Sequence, residues 1–175
     1  MSAQPVQVKE VPGQKTWVDH GLHDLRSLPR ELRATAPSEI EAAVDVDAAV
    51  EVLANVFGLA DPQFDRIAHN TPVGYVTVLR DKLVHIVEKR ADARERYARY
   101  ALQTLKDPFE VWSVSYDNGG QRNAYIGVFE ARRQMLVVVE TFDGEVLWNF
   151  MHTDAKSLNK HRHGIPIYRR PIPES

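Results

Sequence analysis

The chain has 175 residues, 43% of them hydrophobic, enough to bury one domain core with an extension to spare. A formal net charge of −2 confines any polyanion-binding surface to a local patch. The absence of cysteine excludes disulfides, thiolate zinc centres and cysteine nucleophiles, which leaves oxygen and nitrogen chemistry for any reaction.

Residues 1–40 are rich in Pro, Gln and charge, with Pro29 and Pro37 opposing helix just before them. They read as an N-terminal arm or linker anchored by Trp17, Leu22 and Leu25. The segment lacks the basic start and apolar run of a secretion signal, and no window is apolar enough to span a bilayer. The expectation is a soluble protein with no membrane partner. Residues 41–69 form an accessory helix and loop: "DVDAAVEVLANVFGL" places Val46, Val50, Leu53 and Phe57 at helical spacing, starts on a capping Asp45 and stops at Gly58.

Residues 70–175 carry the main domain. "VGYVTVL" is β-branched and short, hence a strand, and it leads into a predicted long helix over 80–105. On that helix Leu83, Ile86, Val87 and Ala91 gather on one side, with Lys82, His85 and Lys89 on the other. Pro108 ends it. Four strands are then predicted at 111–116, 123–129, 134–142 and 145–151, with "DNGG" and the Asp143-Gly144 pair supplying hairpin chemistry. A short helix capped by Thr153 or Asp154 and closed by Gly164 follows, then an edge strand that tolerates Pro166. The fold class is α+β, with N-terminal helices packed on one face of a roughly four-stranded antiparallel sheet.

No Walker loop, GxGxxG, HExxH or GxSxG is present, so common cofactor and hydrolase chemistries lose their sequence signature. Polar residues on or beside the strands remain. Arg122 and Tyr125 open a strand, and Gly127 within it marks either a bulge or the close approach of another group. Alternation puts Asn149 on the face of Leu147 and Met151, opposite Val146, Trp148 and Phe150, where the amide either ties down the next loop or meets a substrate.

From Asn149 to Arg170 the only acidic side chain is Asp154, against a run that includes His152, Lys156, Lys160, His161, Arg162 and His163. This is the local basic patch that the overall charge conceals, although a solvated face is the plain alternative. The three histidines have no Cys, Asp or Glu set to complete a zinc site, so neither metal nor cofactor is expected. Acid/base chemistry with fixed cations fits better. Cleavage at a ribose 2′-OH needs a base, an acid and positive charge for the crowded phosphorane. His85, beside Lys82 and Lys89 on a polar helix face, is a further acid/base candidate.

The ordered series "TPVGYVTVLRDKLVHIVEKR", "DPFEVW", "RNAYIGVF", "LVVVETFDGEVLWNFM" and "LNKHRHGIPIY" resembles the phage-associated barnase/EndoU/colicin E5/D/RelE-like nuclease domain of type 2, as found in Mu F-like phage head morphogenesis proteins. The resemblance covers roughly residues 70–170. It implies helices followed by an antiparallel sheet and a metal-independent ribonuclease site across the open sheet face. Carried onto this chain, it points to His85 as acid/base, Arg122 and Arg162 as phosphate cations, and Tyr125 and Asn149 as positioning groups. Lys82, Lys89, Asn159 and Lys160 are the substrate-binding candidates. The implied partners are RNA, tRNA included, and an immunity protein or phage head proteins, with the chain in the cytoplasm or on a virion. The competing reading is a non-catalytic structural or interaction module of a phage head.

Overall fold

The computed structural model describes residues 8–142 and 144–171. Among them, seven strands form one mixed sheet in the order β1-β2-β6-β5-β4-β3-β7. Chain order begins with helix α1 (Val46–Phe57), strands β1 (Arg66–Thr71) and β2 (Gly74–Leu79), and helices α2 (Leu83–Val87) and α3 (Ala98–Lys106). The meander follows as β3 (Glu110–Ser115), β4 (Gln121–Gly127), β5 (Gln134–Glu140) and β6 (Val146–Thr153). Helix α4 (Ala155–Leu158) and strand β7 (Ile165–Arg169) are the last elements among the described residues. No helix among the described residues is long and apolar enough to cross a membrane.

The α+β class and the β3–β6 meander follow from the alternation in the sequence, and all three meander pairings are antiparallel. The sheet is nevertheless wider than the four antiparallel strands expected. A β1–β2 hairpin joins β6 in parallel through the pair Thr77↔Val146, and β7 pairs with β3 at the far edge. Strand β1 escapes sequence reading because polar groups, His69 and Thr71, occupy two of its three inward positions beside Ile67. His69 donates to the Phe57 carbonyl at 2.7 Å, and the Thr71 hydroxyl donates to the Gly74 carbonyl at 2.6 Å. Asp143, half of the predicted Asp-Gly turn, lies outside the described residues.

Helices α1, α2 and α3 pack on one sheet face, where Leu53 and Phe57 belong to the same core as Tyr125, Leu147 and Phe150. Asp45 caps α1 by accepting the Ala48 N–H at 2.8 Å, and Gly58 stops it at φ +90°. The single long helix expected over 80–105 is instead two helices separated by 3-10 turns, with Ala93 in the left-handed region at φ +44°. Glu95 explains the break. It is fully buried and bonds Arg90 through both oxygens at 2.6 Å, while also accepting the Ala43 N–H at 2.9 Å. Residues five apart lie about 140° apart on a continuous helix, so Arg90 and Glu95 meet only where the helix gives way.

Burial alone would raise the Glu95 pKa, but the Arg90 guanidinium and the Ala43 N–H outweigh it and hold the carboxyl below its usual 4.5. Its stabilisation is therefore complete above the ordinary carboxylate range and is lost as pH falls through the depressed folded value. Between pH 6 and acid unfolding, the melting temperature of Glu95→Gln should start lower and fall less steeply than that of wild type. Parallel curves would remove Glu95 as the source of the pH dependence.

Gly127 marks a close approach. A Cβ there would lie 2.1 Å from Thr104 Oγ1 on α3. Gly127→Ala should cost about 1–3 kcal/mol by overpacking, read as a lower urea midpoint at unchanged slope. An unchanged midpoint would mean that α3 yields freely at this contact.

The second sheet face is half covered. Leu25 and Leu28 of the arm and Leu158 of α4 pack on Trp112, Ile126 and Leu136. Main-chain bonds fix the arm: Trp17 N–H to Arg162 O at 2.9 Å, Gly164 N–H to Lys15 O at 2.8 Å, and Ala34 N–H to Val128 O at 2.8 Å. Asp154 caps α4 by accepting the Ser157 N–H at 2.7 Å. The half of this face toward β2 and β6 carries no such cover, and exposed Trp148 and Phe142 stand there.

Candidate functional site

A bulge in β6 shapes the uncovered half. Val138 pairs with Asn149 but Val139 pairs with Leu147, so Trp148 is the extra residue on its strand. The expected alternation therefore shifts phase: Leu147 and Phe150 both enter the helix-side core, and Met151 packs against the other face. Trp148 is thrust outward, 40% exposed. Asn149 Oδ1 accepts the Phe150 N–H at 2.8 Å and Arg94 Nη1 at 2.7 Å. Arg94 is in turn held by Asp92 Oδ2 at 2.9 Å. The amide oxygen is thus committed to the fold, and its nitrogen is the group available to a ligand.

Two cavities meet at Trp148 and Asn149. The first, about 300 Å³, is lined by those two residues with Lys82, His85 and Glu88 of the α2 region. The His85 side chain is 61% exposed, with Nδ1 3.7 Å from Glu88 Oε1. The second, about 190 Å³, lies over β4–β6 and has Arg122, Tyr116, His161 and Glu10 among its lining. The Arg122 guanidinium sits 4.5 Å from the Tyr116 ring centre and 5.2 Å from that of Trp148. Burial lowers the His161 pKa, favouring the neutral ring. A surface groove thus runs from the His85 helix, past Trp148, to the connector after β6.

His85, Lys82, Asn149 and Arg122 of the expected set line this groove. Lys89 and Lys160 are exposed but line neither cavity. Three other residues are placed elsewhere. Tyr125 is fully buried on the helix side, its hydroxyl 3.1 Å from Thr71 Oγ1 and its pKa pushed up to about 12 by burial. Arg162 is fully buried and donates to both Glu110 oxygens, at 2.6 and 2.9 Å, and to the His23 carbonyl at 2.9 Å. Asn159 accepts the Leu25 N–H at 3.2 Å and donates to Asp24 at 2.9 Å. The groove brings none of these three together with His85, because each is occupied in holding the core or the arm.

His152 stacks on Tyr97 at 4.1 Å between ring centres, and burial lowers its pKa. No three His, Asp or Glu side chains among the described residues gather into a metal-binding group. Sequence reasoning passed over Trp148, Arg94, Glu88, Tyr116 and Glu10. Trp148 had a usable signal, being a large aromatic beside an amide at the end of a strand, whereas Arg94 and Glu10 reach the site only through tertiary contacts.

The fold and the groove define an α+β domain with a polar, aromatic-walled surface site in which the cations Lys82 and Arg122 are matched by Glu88 and Glu10. The family model described as phage-Barnase-EndoU-ColicinE5/D-RelE like nuclease2 matches residues 53–169, more than half of the chain, and the chain belongs to this family of nuclease-type domains. No curated protein and no solved structure matches it.

Proposed function

We propose that the protein is a toxin-type RNA endonuclease that works without a metal ion, with its reaction centre at the His85 end of the groove. The observation that carries this reading is that His85, Glu88, Lys82 and Asn149 line one cavity beside an exposed tryptophan. His85 and Glu88 are its acid/base pair. One takes the 2′-OH proton as the 2′-oxygen attacks phosphorus, and the other protonates the 5′-oxygen as the P–O5′ bond breaks. The products are a 2′,3′-cyclic phosphate and a 5′-hydroxyl. Lys82 offsets phosphorane charge, Arg122 meets a neighbouring phosphate, and the Asn149 amide nitrogen orients the scissile group.

The substrate is RNA, tRNA included, and the proposed setting is a cytoplasm or a phage particle. An immunity protein that covers the groove, or phage head proteins, are the protein partners this reading supplies. Incubating the folded protein with total RNA in excess EDTA should yield fragments with cyclic-phosphate ends. Intact RNA at high protein excess would overturn the enzyme reading and leave the phage-head interaction module in its place.

A further inference from the structure

We propose that the second cavity, beside Arg122, is a nucleobase subsite that takes one unpaired heterocyclic base of the bound RNA; this rests on the ribonuclease reading and extends it. The floor of the cavity is apolar, formed by Ala124, Leu136, Val138 and Met151. A site for phosphate alone gains nothing from such a floor, whereas the flat face of a base gains by covering it. One wall is built jointly of Tyr116, Arg122 and Trp148, the guanidinium lying 4.5 and 5.2 Å from the two ring centres. Aromatic and guanidinium planes are the surfaces on which unpaired bases stack.

The rim supplies the polar edge that a base requires. Glu10 lines the cavity, and its carboxylate, held by His163 Nε2 at 2.7 Å and approached by the Tyr116 hydroxyl at 3.5 Å, is the acceptor it offers to exocyclic amino or ring N–H groups. His161 lines it as well. Size agrees: at about 190 Å³ the space is smaller than the roughly 300–1,000 Å³ of drug-sized pockets and suits a single ring system. Trp148 and Asn149 line this cavity and the His85 cavity alike. A nucleotide with its phosphate beside His85 therefore has its base, or that of its neighbour, at the subsite.

Tryptophan fluorescence tests this without relying on catalysis, with Trp148→Phe isolating the Trp148 signal among three tryptophans. Titration with AMP, GMP, CMP and UMP is expected to give saturable quenching with at least one nucleotide and none with ribose 5-phosphate. Ala124→Leu, which fills the floor, and Tyr116→Ala, which removes part of that wall at the surface, should each weaken the response about tenfold, with circular dichroism confirming the fold. Equal quenching by ribose 5-phosphate, or an undiminished titration in the folded variants, overturns the subsite. No quenching by any nucleotide while total RNA is still degraded also overturns it and leaves the ribonuclease reading standing. Saturable base-dependent quenching with RNA left intact supports the subsite and removes the ribonuclease reading instead.

Discussion

His85→Ala is expected to lower the rate of RNA cleavage by about 10²–10⁴-fold, the usual contribution of a positioned acid/base group. Its melting temperature should stay within a degree or so of wild type, because a side chain that is 61% exposed contributes little to packing. Initial rates on a fluorogenic RNA oligonucleotide, paired with a thermal melt of each preparation, separate the two effects. Retention of rate within a few-fold would remove His85 from the chemistry. Glu88→Gln should show a comparable defect, since its carboxylate, with Oε1 3.7 Å from His85 Nδ1, is the second acid/base group of the proposed mechanism. His85→Ala with full loss and Glu88→Gln with none would hand the second proton transfer to another group.

Arg162→Ala is the second large effect, of the opposite kind. The guanidinium is fully buried against Glu110, so truncation leaves a buried carboxylate without its countercharge. Such a loss costs about 3–5 kcal/mol, or roughly 6–20 °C in melting temperature for a chain of this size. Arg162→Lys should rescue little, because one ammonium cannot reproduce the bonds to both Glu110 oxygens, the His23 carbonyl and Asn159. Joint replacement of Arg162 by Met and Glu110 by Leu should recover only part of the loss: no unpaired charge remains, but the buried Trp112 indole N–H loses its acceptor, Glu110 Oε1 at 3.0 Å. Cleavage by the fraction still folded should continue near the wild-type rate. A folded Arg162→Ala protein with wild-type stability and no activity would restore Arg162 to the substrate.

The contrast between these two residues shows what the sequence made legible. The α1 helix, its Asp45 cap, the Gly58 stop and the meander were readable because capping and alternation are local signals. The exposed placement of His85 was readable for the same reason, on the polar side of a short amphipathic turn whose Leu83, Ile86 and Val87 are buried. Arg162 stood in a cationic run and looked solvent-facing until Glu110, 52 residues earlier, came to meet it. The long helix failed through the same kind of remote contact, Ala43 reaching Glu95. The β6 bulge is subtler. One extra residue reverses the facing of all that follow, and strict alternation contains no sign of where that residue falls.

The way the arm is fixed also bears on where this protein can be cut. The segment matched by the family begins at residue 53, yet the Arg162 guanidinium reaches back to the His23 carbonyl and the sheet face of Trp112, Ile126 and Leu136 is sealed by Leu25 and Leu28. A fragment trimmed to the recognisable homology would open an apolar sheet surface to water and strip a buried cation of one acceptor. The matched segment and the packed sheet therefore have different borders, and expression boundaries are better set by what the sheet needs covered than by where the family match begins.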